Sequence, residues 1–188
     1  MKARVIITLD CPRNCENCCN KENVFYQHKL LENKEKLLKY DVIMITGGEP
    51  MLIPDYVFRF VLWLKNENYK GKIYLYTALY NISLYAAYDS LLTLIDGIHF
   101  TVHYEATDKE IKELKELSEN VITHTWDFSK PRCQSYRLAI DSRLYDKYDF
   151  SNINFSQWSV IRKMHWMKEC PLPKGEELFL MDIKNEIF

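Results

Sequence analysis

The sequence predicts an α/β fold built on parallel strands, and three observations lead there. Short apolar runs rich in β-branched residues alternate with stretches of helical length and spacing from Val5 to Trp126. Two of these runs end in loops of unusual chemistry, Cys11-Pro12-Arg13-Asn14-Cys15-Glu16-Asn17-Cys18-Cys19 and Thr46-Gly47-Gly48-Glu49-Pro50. The chain has 188 residues, 47% of them apolar and 27% charged, enough for one domain with a real core and short for two.

Val5 to Leu9 reads as the first strand. The basic start before it resembles a signal peptide only superficially, because the apolar stretch is short and no small-residue cleavage site follows. Leu30, Leu31, Leu37 and Leu38 mark one face of a helix ending near Tyr40. Val42 to Ile45 is the second strand, closed by Gly47-Gly48. Pro54-Asp55 opens a helix through Leu64, and Gly71 punctuates its exit. Ile73-Tyr74-Leu75-Tyr76-Thr77 is the third strand, and Ser83 to Ile95 a helix stopped by Asp96-Gly97. Ile98 to Val102 is the fourth strand. Thr107 and Glu110 form a capping box ahead of Ile111, Leu114 and Leu117. The Lys and Glu residues of 108–119 read as a solvated face. Val121 to Trp126 is the fifth strand. The rhythm then breaks: 127–136 is too short and polar for a crossover helix, Arg137 to Ile140 reads as a sixth strand, and Gln157 to Lys168 as a last helix. No boundary, repeat or low-complexity segment divides the chain, so 1–188 is expected to be a single domain.

A formal net charge of −1 supplies no strong field for nucleic acid or an anionic membrane. No apolar run reaches the ~20 residues that span a bilayer. A cytoplasmic protein with reduced thiols is expected. Four of the six cysteines lie within nine residues, which suits a metal or cluster better than a disulfide framework. Cys133 and Cys170 stand apart and read as structural or free thiols.

The spacing C-x3-C-x2-C supplies three soft thiolates, Cys11, Cys15 and Cys18, at the C-terminal end of a strand, where parallel α/β folds build their sites. Three ligands leave one iron of a cluster open for chemistry. Cys19 as a fourth ligand, a zinc site completed by Cys133 or Cys170, and plain packing stand beside that reading. In the second loop, Gly47 and Gly48 let a ligand approach the backbone, and Glu49 offers an acceptor for an ammonium group. A tight turn with Pro50 leading into a helix is the simpler account of the same residues. Both loops follow neighbouring strands and are expected to face each other.

With these two motifs, Cys11/Cys15/Cys18 and Gly47 to Pro50, the sequence resembles the radical S-adenosylmethionine (SAM) superfamily over roughly residues 4–126. The resemblance implies a partial (βα)6 TIM-like barrel, with 1–126 as the core and 127–188 completing the barrel and the substrate side, or a barrel that stops after the fifth strand. It implies a [4Fe–4S] cluster and SAM as cofactors, Gly47, Gly48, Glu49 and Pro50 holding the methionine amino group, and reductive cleavage to a 5′-deoxyadenosyl radical that abstracts hydrogen from substrate. It also implies a flavodoxin- or ferredoxin-type electron donor and a protein, peptide or small-molecule substrate. Asn17 departs from the aromatic residue that members often carry before the third cysteine. The run Cys19-Asn20-Lys21 is similar to one in the anaerobic ribonucleotide reductase activases, which points to an activase of a glycyl-radical enzyme.

Strand alternation places His99, Thr101 and His103 on one face. By similarity to the family, Thr101 and His103 contact the SAM ribose, with hydrogen-bonded core histidines as the alternative. Thr77 faces the pocket from the third strand, and His124 and Trp126 are further candidates. Phe58, Trp63, Tyr74 and Tyr76 read as core. Two other functions compete: a non-catalytic zinc module, which leaves the Gly47–Pro50 motif unexplained, and a degenerate SAM-binding protein that keeps the cluster without turnover.

Overall fold

The computed structural model describes residues 1–16, 18, 28–123, 135–154, 158–165 and 171–181. Its eight strands are β1 (Lys2–Ile6), β2 (Lys29–Leu30), β3 (Val42–Thr46), β4 (Lys72–Thr77), β5 (Gly97–Val102), β6 (Ser135–Asp141), β7 (Val160–Met164) and β8 (Glu176–Leu180). They form one sheet in the order β2-β8-β1-β3-β4-β5-β6-β7, and every pairing is parallel. The sheet is open, with β2 and β7 at its edges, the architecture of a partial TIM-like barrel.

The helices are α1 (Pro54–Asn66), α2 (Ile82–Ala87), α3 (Asp89–Leu94) and α4 (Asp108–Thr123). In α1, Pro54 opens the first turn, Asp55 complements the helix dipole, and Val57, Phe60, Val61 and Leu64 are fully buried at helical spacing. These side chains share one core with Val5, Ile43, Ile45, Ile73, Leu75, Ile98 and Phe100, every one of them from the same face of its strand. Leu91 of α3 and Leu114 and Leu117 of α4 join the same core. The capping box at the start of α4 is formed: the Glu110 carboxylate accepts from the Thr107 N–H at 2.8 Å, and Thr107 Oγ1 accepts from the Glu110 N–H at 3.3 Å. The opposite sheet face carries a small apolar cluster of Ile6 and Leu178, the buried Met44 and Ala139, and polar and aromatic side chains such as Arg4, Tyr74, Tyr76 and His99.

Several expected elements differ. Residues 121–123 continue α4 instead of starting a strand, because Val121 extends the spacing of Leu114 and Leu117; residues 124–126 lie outside the described residues. The strand that pairs with β5 is β6, so the sheet runs on past the fourth expected strand through Ser135–Asp141. The expected last helix over Gln157–Lys168 is replaced at Val160–Met164 by β7, whose β-branched Val160 and Ile161 suit an edge strand. The expected helix ending near Tyr40 is β2 followed by a 3₁₀ turn over Lys34–Lys39, capped by Asn33 through the Glu35 N–H. The helix expected over Ser83–Ile95 breaks into α2 and α3 at Tyr88, which leaves helical geometry at φ −111° and ψ 33°. Nothing in the sequence announced β8, yet it lies between β1 and β2. The segment 127–188 therefore supplies three strands to the same sheet as the core.

Candidate iron–sulfur site

β1 leads directly into the cysteine loop, and backbone hydrogen bonds fasten that loop to the one after β3. Ile7 N–H donates to the Thr46 carbonyl at 3.1 Å, Gly48 N–H to Thr8 at 2.7 Å, and Glu49 N–H to Asp10 at 2.7 Å. This close approach is what requires the two glycines. Gly47 sits at φ +139°, and a Cβ there would lie 2.3 Å from the Thr8 carbonyl oxygen. A Cβ on Gly48 would lie 2.0 Å from the Asp10 carbonyl oxygen. The backbone that comes close to these glycines is thus the start of the cysteine loop. Pro50 opens a short 3₁₀ turn, Pro50–Leu52, that Glu49 caps.

Glu49 is 2% exposed and accepts three hydrogen bonds: from Met51 N–H at 3.0 Å, from the Thr77 hydroxyl at 2.8 Å and from Ala78 N–H at 2.7 Å. Burial pushes its carboxyl up, and the three donors pull against that. Thr77 ends β4 on the helix-facing side, in line with Ile73 and Leu75, and points at Glu49 and the Tyr85 hydroxyl. Its side chain is therefore not on the face that carries Thr101 and His103.

Three residues absent from the sequence-level candidates position the cysteine loop. Arg13 Nη2 donates to the Ala78 carbonyl and pairs with Glu110, and its guanidinium lies 5.8 Å from the Tyr80 ring centre. Glu105, just beyond β5, accepts from Glu16 N–H at 2.9 Å and from the Cys15 thiol. Glu110 divides its two oxygens between the helix cap and Arg13. A lone arginine or glutamate in a loop leaves no periodic trace, so only Glu110 was visible, and only as a cap.

Cys11, Cys15 and Cys18 all belong to this pinned loop, with Cys15 buried and the other two half-buried. Burial raises the thiols of Cys11 and Cys15, the latter to about 12, where the charges of Glu105 and Cys18 add to it. A coordinated cation reverses that balance and deprotonates a thiol outright. Among the described residues, no three His, Cys, Asp or Glu side chains are already gathered as a metal-binding group. The donor set is soft sulfur within one short loop, which fits an iron–sulfur cluster better than a hard cation.

His103 follows β5 beneath this loop. Burial, then the Arg13 guanidinium, lowers it to about 4, against the pull of Glu105, Asp141 and Glu110. The Thr101 carbonyl accepts from the Tyr80 hydroxyl at 2.6 Å. Phe58 and Trp63 pack against the core as expected. Tyr74 and Tyr76 do not: they lie on the opposite sheet face, against Arg137 and His99. Their alternation with Ile73 and Leu75 settles this, since only one face of β4 meets the helices. Cys19, His124, Trp126, Cys133 and Cys170 lie outside the described residues.

The fold and loop define a parallel α/β protein with a thiol-rich site at the C-terminal ends of its first two long strands. The chain matches the family model of the 4Fe-4S single cluster domain over residues 3–124, and it belongs to that family. A search among curated proteins finds no match. No helix among the described residues is long and apolar enough to cross a membrane.

Proposed function

We propose that this protein is a cytoplasmic radical SAM enzyme in which Cys11, Cys15 and Cys18 hold the [4Fe–4S] cluster. The observation that carries the reading is the joining of the cysteine loop to the Gly47–Pro50 loop by the Gly48–Thr8 and Glu49–Asp10 hydrogen bonds. Two sequence motifs 36 residues apart thereby become one structural unit. Cys11, Cys15 and Cys18 would hold the cluster and Gly47 to Pro50 the methionine end of SAM, and the pair would supply one-electron reductive cleavage of the sulfonium and, from it, hydrogen abstraction from substrate.

The chain's own residues bind and orient. The backbone of Gly47 to Pro50 lies beside the cysteine loop and receives the methionine end of SAM. Glu49 spends its oxygens on Met51, Thr77 and Ala78, so it acts as a positioning residue that holds this backbone against β4. Thr77 serves the same junction. Thr101 and His103 stand on the sheet face below the loop, and the low basicity of His103 keeps it a neutral imidazole toward a ribose. Arg13 and Glu105 hold the loop from two sides. A flavodoxin- or ferredoxin-type donor supplies the electron, and the substrate is a protein, a peptide or a small molecule.

The test is 5′-deoxyadenosine formation by anaerobically reconstituted protein given SAM and dithionite. The expected result is deoxyadenosine from the native chain and none from a Cys15→Ala variant. A reconstituted protein that holds four irons and leaves SAM intact contradicts the reading.

A further inference from the structure

In a partial barrel the helices pack on the outer face, as the described helices of this chain do, and the inner face is left to its own side chains. On the other face three guanidinium groups converge. Arg4 on β1 lies 5.4 Å from the Tyr76 ring centre, and Tyr76 stacks on His99 at 4.6 Å and 7°. His99 is the register partner of Arg137 on β6, and Arg162 on β7 pairs with Ala139 two residues further along. Among the described residues one carboxylate answers these charges, Glu176, and it is already engaged by Arg4 and Lys2. Among the described residues, neither Arg137 nor Arg162 forms an ion pair. The chain as a whole carries a formal charge of −1, so this concentration of positive charge is not a by-product of a basic composition.

Two details point to a ligand. Arg137 lies over the Tyr74 ring, 4.6 Å from its centre, and donates to Ser135 Oγ at 3.1 Å and the Tyr74 hydroxyl at 3.4 Å. Those bonds orient the guanidinium and use two of its five N–H donors, leaving the others for an acceptor. His99 Nδ1 is buried and has no hydrogen-bond partner among the described residues, whereas buried polar atoms ordinarily have one. The neighbouring arginines, after burial, keep that ring neutral at ordinary pH.

We propose that this face, with Arg137 and Arg162 beside Arg4 and His99, binds the anionic group of the substrate, a phosphate or a carboxylate. Guanidinium forks match either group in a bidentate way. The site also has a direction. His103, under the cysteine loop, lies four residues beyond His99 on the same strand face, roughly 13 Å along it. A substrate anchored by its anion at the arginines extends its other end toward the cysteines. As a statement about substrate the inference rests on the SAM-cleaving reading; as a statement about binding it does not.

The experiment is calorimetric titration of the reconstituted full chain at 0.15 M salt with two probes, inorganic pyrophosphate and succinate. At least one is expected to bind with a submillimolar Kd, and the preference between them tells phosphate from carboxylate. Arg137→Gln with Arg162→Gln is expected to weaken that binding by about tenfold or more. Arg162→Gln alone, on an exposed edge-strand position, is expected to weaken it by about threefold and stands in where the double variant does not fold. Absence of binding by both probes, or binding unchanged in the variants, overturns the proposal. A native chain that forms deoxyadenosine but binds neither probe counts against this site alone. Retained probe binding without SAM cleavage counts against the enzymatic reading alone.

Discussion

Glu49 illustrates how a motif residue is tied into its surroundings before any ligand arrives. Three donors converge on a carboxylate 2% exposed. Glu49→Gln sets an amide NH₂ against at least one of them, leaving buried donors unpaired at a cost of about 2–3 kcal/mol. Urea denaturation is expected to show that loss, and an unchanged midpoint would contradict the role given to Glu49. His99 makes a second prediction, with pH as the variable. Burial, then Arg137, Arg162 and Arg4, lower it to about 4 from 6.5. Between those values the unfolded chain binds a proton that the folded chain refuses, so stability is present above about 6.5 and is lost as pH falls toward 4. The loss approaches about 3 kcal/mol for this residue. His99→Phe keeps a ring on Tyr76 and is expected to flatten the stability slope between pH 6.5 and 4.5. An identical slope in the variant contradicts the assignment. At this scale spacing and strand position single out the cysteines, the Gly47–Pro50 motif, Thr101 and His103 as candidates, whereas Thr77, expected to face the pocket, turns its hydroxyl to Glu49 on the helix side. Arg13, Glu105 and the arginines of the open face were not legible, since their partners come from distant segments.

The element scale is where the two loops become one object. The Thr8–Asp10 segment runs so close to Gly47 and Gly48 that backbone oxygens, which cannot move aside like side chains, fill the space of a Cβ. Gly48→Ala is expected to force the loops apart, with a loss of about 1–3 kcal/mol and a fall in iron content after reconstitution. Iron content and stability equal to the native chain would show that the junction tolerates separation. The same scale explains what was misread in the sequence. α1 and the start of α4 were legible because proline, acidic first turns, a capping box and helical spacing agree there. The end of α4 was misread because Val121 and Ile122 also suit a strand. The sequence reads β7 as helix, and β8, which begins with Glu176-Glu177, carries no strand signal. Both are decided by pairing, with β6 and with β1, and a partner remote in sequence leaves no local mark.

For the whole molecule, one parallel sheet fixes the order of everything else. β1 lies between β8 and β3, so the strand that launches the cysteine loop is held on both sides, and the Gly47–Pro50 loop follows its neighbour. Among the described residues the helices cover one face, and the other brings Arg4, Arg137 and His99 together, so the site at the strand ends adjoins a charged face. The alternation of strands and helices predicted this class of fold. It could not show which face the described helices leave uncovered, because that depends on where the C-terminal strands add. In the proposed function three cysteines hold a four-iron cluster and leave one iron for SAM. Its most direct measurement is iron and sulfide analysis of the anaerobically reconstituted chain, with an electron paramagnetic resonance spectrum of the reduced protein before and after SAM. About four irons and four sulfides per chain are predicted, lost in Cys11→Ala, Cys15→Ala and Cys18→Ala, with a spectrum that changes when SAM is added. A colourless protein carrying one zinc, or a cluster whose spectrum ignores SAM, would contradict it.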